Sequence, residues 1–140
     1  MFFIPLAAGL LLHFFWRPLV FSPSGAFMAF LGGFLVLAGL VLAFWAKKTF
    51  STHGVQTKFT PVPKLVSSGP YAFTRNPLYL SLILVYAGIS LLANSAWPLV
   101  LMPLPVVYLY YNVVLLEEAY LESEFGEEYL KYKGKVRRWL

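Results

Sequence analysis

The chain of 140 residues has no cysteine, no aspartate and only two histidines, His13 and His53. Without cysteine there is no disulfide, no thiolate metal site and no cysteine nucleophile. The two histidines lie far apart with no ligand-like spacing, so no protein-bound metal is expected. Charge is scarce as well. Charged residues make up 12% of the chain, against about a quarter in an average soluble protein. The six acidic residues all fall between positions 117 and 128. What replaces charge is apolar, at 59% hydrophobic residues. A soluble domain of this length has no interior large enough to hide that surface. The composition therefore implies a membrane protein, read as one domain over residues 1–140.

Four runs carry little or no charge: 2–21, 25–46, 77–93 and 97–116. At 1.5 Å rise per residue, about 20 helical residues cross the hydrocarbon core. Each run is long enough, the third only just. The first lacks a basic leading segment and a small-residue cleavage site, so it reads as a retained span. Ser22-Pro23-Ser24 and Asn94-Ser95-Ala96 are short polar turns, and they join the runs into two antiparallel hairpins. The expected fold is all-α, about four transmembrane helices followed by an amphipathic C-terminal helix within 117–140. Leu121, Phe125 and Tyr129 or Leu130 give that last segment its helical spacing, and Gly126 interrupts it.

Small residues in the second run, Ala29 with Gly33 and Gly39 with Ala43, recur at the spacing that lets membrane helices pack closely. Pro103 and Pro105 predict a kink in the fourth run. Of the eleven Lys and Arg residues, Lys47, Lys48, Lys58, Lys64 and Arg75 lie between apolar runs, and Lys131, Lys133, Lys135, Arg137 and Arg138 lie at the end. Basic clusters that flank apolar spans follow the positive-inside rule, so no nucleic-acid partner is expected. The rule puts the N-terminus, the loop 47–76 and the C-terminus in the cytoplasm.

The chemistry is expected at that surface. The loop 47–76 is too long to be only a connector. Within it Gly69-Pro70 reads as a turn, and Arg75-Asn76-Pro77 as the start of the third span, with Asn76 at the N-cap and Pro77 in the first turn. Tyr71, Arg75 and Tyr79 converge there on one interfacial patch. Such residues also serve as plain membrane anchors, and composition leaves both readings open. Glu117-Glu118 closes the fourth run. Paired acids beside hydrocarbon call for a cation, either Arg75 or a positively charged ligand. A helix C-terminus also disfavours them unless the helix runs on.

The order Leu65-Val66-Ser67-Ser68-Gly69-Pro70-Tyr71, Arg75-Asn76-Pro77-Leu78-Tyr79, Glu117-Glu118, Leu121, Phe125-Gly126-Glu127-Glu128-Tyr129, Tyr132 and Val136 resembles the isoprenylcysteine carboxyl methyltransferase and phospholipid methyltransferase superfamily. The resemblance covers residues 54–138; the first two runs match only in being hydrophobic. It implies S-adenosyl-L-methionine as cofactor, held by Gln56, Pro63, Lys64, Leu65, Val66, Gly69, Pro70, Tyr71, Asn76, Pro77, Leu78, Tyr79 and Glu117. Arg75 and Glu118 are the expected catalytic residues. The implied acceptor is hydrophobic or lipid-like, a carboxylate, thiol or amine. Only an amine would need a base, a role for Glu118 or a tyrosine.

Two departures stand out. The superfamily's usual Arg-His-Pro is Arg-Asn-Pro here, as in bacterial members, which suggests a prokaryotic inner membrane. The arginine that prenylcysteine enzymes place one turn before the glutamate is Val113, beside Asn112. Two other readings remain at this level: a nicotinamide-binding protein related to sterol reductases, and a non-catalytic membrane protein on the same scaffold.

Overall fold

The computed structural model describes residues 1–16, 19–21, 25–54 and 64–140. Helices dominate, and there is no strand among the described residues. In chain order they are α1 (Ile4–Phe15), α2 (Ala26–Thr52), a short 3-10 turn (Gly69–Ala72), α3 (Pro77–Leu92), α4 (Trp97–Phe125) and α5 (Glu127–Lys135).

Two helices, α2 with 27 residues and α4 with 29, are long and apolar enough to cross a bilayer. In α2 the rings of Phe27, Phe30, Phe34 and Phe44 stand exposed. A core helix of a soluble protein would cover such rings; hydrocarbon solvates them. The other two apolar helices are shorter than the runs suggested. Pro5 sits in the first turn of α1, and Trp16 turns extended after it, so 12 residues are helical where the sequence predicts a span over 2–21. In α3 the expected start at Pro77 is met, and the helix closes at Leu92 before Asn94 at φ 49°. Conversely, α2 continues six residues beyond the predicted Ala46, through Lys47 and Lys48, both good helix formers on the exposed side.

The prolines of α4 do not cut it. Met102 keeps helical dihedrals, and its amide shifts to the carbonyl of Leu99 at 3.2 Å, so the acceptor left without a donor by Pro103 is satisfied locally. Further on, residues Tyr110–Val114 widen into a π-helical turn. Such turns insert one residue and rotate everything beyond them, here the acid pair.

Glycine determines how α2 meets α3. A Cβ on Gly32 would lie 2.7 Å from the carbonyl oxygen of Gly88, one on Gly88 would lie 2.7 Å from that of Gly32, and one on Gly39 would lie 2.9 Å from that of Ser81. The backbones touch, as small residues allow in membrane helices. The buried stripe of α2 is Gly32, Gly39 and Ala46, spaced by two turns. That corrects half of the expected pattern: Ala29 is exposed, and a Cβ on Gly33 would meet open space. Replacing Gly88 by Val should therefore force α2 and α3 apart. The expected loss is about 1–3 kcal/mol, the usual cost of overpacking, read as a lower thermal midpoint in detergent, whereas Gly33→Val should leave the midpoint unchanged.

Contacts at the helix ends fall into two groups. At one end Tyr86 Oη donates to the carbonyl of Pro98 at 2.8 Å, and Trp97 Nε1 to that of Trp16 at 2.9 Å. The other end gathers the C-terminus of α2, the segment 64–76, the acid pair and the tail. The ion pairs of Glu118 and the Tyr79–Glu117 bond lie there.

Candidate active site

The segment before α3 is built on Gly69 and Pro70. Gly69 takes φ +60°, and a Cβ there would lie 2.6 Å from Thr49 Oγ1, so the turn seats directly on α2. Pro70 is fully buried behind it, and Tyr71 packs with Ala46 and Val66, with Phe50 and Leu78 alongside. The rings of Phe50 and Tyr71 lie 4.7 Å apart. Leu65 faces the other way, into a cluster with Tyr129 and Tyr132 of α5. Two adjacent residues thus fasten the segment to opposite partners.

The hydroxyl of Tyr71 is buried and has no hydrogen-bond partner among the described residues. Burial pushes its ionisation far up, and Glu117, Tyr132 and Tyr79 add to the effect in that order. The phenol is therefore a neutral donor with no acceptor among the described residues. Glu117 stands nearby on α4 and is exposed; Tyr79 Oη donates to its Oε2 at 2.9 Å. No cation reaches Glu117 among the described residues. Tyr71, Tyr79 and Glu117 together form a face with a carboxylate, two phenols and one unused donor.

Glu118 behaves in the opposite way. Its side chain is only 9% exposed and is gripped by two guanidinium groups. Arg138 Nε and Nη2 donate to its two oxygens at 2.8 Å each, a bidentate pair, and Arg75 Nη1 lies 3.3 Å from Oε1. Hydrogen bonding to Glu118 holds the Arg138 pKa above its ordinary value, so this arginine stays charged. Arg75 also donates to Tyr129 Oη at 3.4 Å, while its buried Nε has no partner among the described residues. Tyr132 donates to the carbonyl of Tyr71 at 2.7 Å; burial pushes its pKa up to about 12, so it remains a donor.

Several sequence-level expectations change in detail. Gln56 and Pro63 lie outside the described residues. Lys64 is exposed, and the side chains of Leu65 and Val66 enter the two clusters, so only their backbone is left to face a ligand. Asn76 is the N-cap residue of α3, yet its side chain makes no cap; Nδ2 donates instead to the carbonyl of Arg138 at 3.0 Å. Pro77 is fully buried. Both oxygens of Glu118 are occupied by arginines, which makes it a poor proton acceptor. The acid pair does not end its helix, since α4 runs on to Phe125 before Gly126, at φ +51°, turns the chain into α5. With valine at 113, the guanidinium groups at the acid pair come from Arg75 and Arg138. Arg138, Tyr110, Tyr129 and Tyr132 were not among the expected site residues. The tail arginines carried a signal only as charge beside a membrane.

The phospholipid methyltransferase family model matches residues 27–128. The chain belongs to this family. Two relatives are similar over most of the chain. The protein-S-isoprenylcysteine O-methyltransferase of Schizosaccharomyces pombe is 31% identical over 117 residues, 84% of this chain and 48% of that protein. The enzyme of the same name from Saccharomyces cerevisiae is 33% identical over 110 residues, 76% of this chain and 46% of that protein. The chain thus spans about half the length of these two relatives. An uncharacterized protein of Haemophilus influenzae is 48% identical over 65 residues, 45% of this chain and all of that protein. No solved structure matches. Family membership, together with two exposed apolar helices, makes the chain a membrane protein of a methyltransferase family. The family match takes in α2, beyond the loop and acid-pair motifs that first suggested the resemblance.

Proposed function

We propose that the chain transfers a methyl group from S-adenosyl-L-methionine to a hydrophobic or lipid-like acceptor at the membrane surface. The observation that carries this reading is the face formed by Tyr71, Tyr79 and Glu117. It offers an exposed carboxylate and the half-buried Tyr79 ring to a cation, and it contains a buried Tyr71 hydroxyl with no partner among the described residues. Buried polar atoms in folded proteins are nearly always satisfied, so an orphan beside a carboxylate suits a ligand.

The residues fit the cofactor. Glu117 and the Tyr79 ring suit its positively charged groups, the Tyr71 hydroxyl supplies a neutral donor, and the spare N–H of Arg75 supplies a donor for its carboxylate. When bound, the cofactor supplies an electrophilic methyl on a sulfonium. The chain has to hold donor and acceptor in line and keep water out. Tyr71 and Tyr79 fix the cofactor side of that line, and the packing of Val66, Phe50 and Leu78 against Tyr71 keeps it dry. Glu118, neutralised by two arginines, suits a positioning role and not that of a base. That favours an acceptor needing no base, a carboxylate or thiolate.

The loop 47–76, both termini and the site are assigned to the cytoplasmic side of a prokaryotic inner membrane, which the basic flanks support. The acceptor class is tested by incubating membranes that contain the protein with S-adenosylmethionine carrying a tritiated methyl. Label is expected in the chloroform-soluble fraction and should be lost with Glu117→Gln. Label confined to water-soluble products would reject a lipid-like acceptor.

A further inference from the structure

The last residues of the chain return to the site. After α5, Val136 is extended at φ −115° and ψ 126°, and the backbone runs back along residues 74–76. The Arg75 amide donates to the carbonyl of Arg137 at 3.0 Å. Thr74 Oγ1 and Asn76 Nδ2 donate to the carbonyl of Arg138 at 3.1 and 3.0 Å. The Arg138 side chain then reaches across to α4. It grips both oxygens of Glu118 at 2.8 Å, and Nη1 donates to Tyr110 Oη at 2.7 Å. Its guanidinium carbon lies 5.1 Å from the centre of the Tyr110 ring.

One residue therefore ties together the start of α3, the acid pair and the π-helical turn. Those are the two walls of the candidate site. Tyr79 stands three residues into α3 from Asn76, and Glu117 directly precedes Glu118. Successive residues on a helix point about 100° apart, so fixing Glu118 on one side of α4 sets the direction of Glu117. Arg137 carries the same charge, but its side chain is exposed and makes no hydrogen bond or ion pair among the described residues. The molecule thus supplies its own control.

We infer that Arg138 is a positioning residue for methyl transfer and that residues 136–138 form a strap that sets the alignment of Tyr79 with Glu117. The inference rests on the proposed function. The Arg138 side chain acts through Glu118 and Tyr110, and its backbone carbonyl fastens the strap to Thr74 and Asn76. Without the Arg138 side chain, Glu118 keeps only the longer contact to Arg75; the Arg138 carbonyl can still accept from Thr74 and Asn76, but the strap loses the side-chain anchor to α4 that holds it there.

The test uses the full chain in lipid nanodiscs and compares wild type with Arg138→Ala, Arg138→Lys and Arg137→Ala. Two readouts are taken: calorimetric binding of S-adenosylmethionine, and hydrogen exchange over residues 71–79 against the α2–α3 contact around Gly32 and Gly88. In Arg138→Ala, binding should weaken about 30-fold, within the usual range of coupling between distinct sites. Exchange should rise at 71–79 and stay unchanged at the glycine contact. Arg138→Lys should recover part of the affinity, because lysine keeps the charge without the bidentate fork. Arg137→Ala should match wild type in both readouts. Equal losses in Arg137→Ala and Arg138→Ala would reduce the tail to a basic patch and overturn the inference, as would an unchanged Arg138→Ala. If wild type binds no S-adenosylmethionine, the functional reading falls with the role in methyl transfer. Faster exchange at 71–79 confined to Arg138→Ala would still uphold the strap, and unchanged exchange would overturn it.

Discussion

Glu118→Ala is expected to destabilise the protein by about 3–5 kcal/mol, the usual cost of breaking a buried ion pair by removing one partner. The reason is what it leaves behind. The Arg75 side chain is 10% exposed and that of Arg138 28%, so deleting the carboxylate strands two guanidinium groups with little water to solvate them. The two arginines would then repel each other, and the contact between segment 74–76 and α4 would loosen. Glu118→Gln should lose less, because the amide oxygen still accepts one bond. Thermal unfolding in detergent measures both. A midpoint for Glu118→Ala within about 1 °C of wild type would show that the pair contributes little, as many exposed ion pairs do.

The adjacent acid should respond in the opposite way. Glu117 is exposed and is held only by Tyr79 among the described residues, so Glu117→Gln leaves no buried charge behind. Its thermal midpoint should stay at the wild-type value. Affinity for S-adenosylmethionine should instead fall by about 10- to 100-fold, because a hydrogen bond to a charged group contributes about 1.5–3 kcal/mol. Calorimetry on the folded variant reads this directly. Unchanged affinity would move the cofactor's cationic groups away from Glu117. Two neighbouring glutamates, one needed for folding and one for binding, give a pattern that a plain solvated membrane boundary would not produce.

The distinction between them was only partly legible in the sequence. Glu117-Glu118 announces itself, because acids beside hydrocarbon are costly and no other acidic residue precedes them. Pro77 marked the start of α3 correctly, since a proline fits the first turn of a helix and little else nearby does. The partner of Glu118 could not be read. Arg138 lies twenty positions further on, and it reaches Glu118 only because Gly126, at positive φ, reverses the chain between α4 and α5. On the page of sequence it is one basic residue among five. The glycine contact was legible as a composition and not as a register: Gly32 and Gly33 are equivalent until α3 is in place, and only Gly32 faces it. The extent of α4 was misjudged for a similar reason. Hydropathy ends at Leu116, but helical hydrogen bonding does not depend on hydropathy, and nothing breaks it before Gly126.

The measurement that tests the account most directly is a calorimetric titration of the wild-type protein, in lipid nanodiscs, with S-adenosylmethionine and with S-adenosylhomocysteine. The predicted result is one site per chain with micromolar affinity, about −8 kcal/mol, for both ligands, and a loss for S-adenosylmethionine when Tyr71 is replaced by Phe, which removes the orphaned hydroxyl alone. Heat no greater than the dilution control for both ligands would contradict the assignment of Tyr71, Tyr79 and Glu117 as a cofactor site.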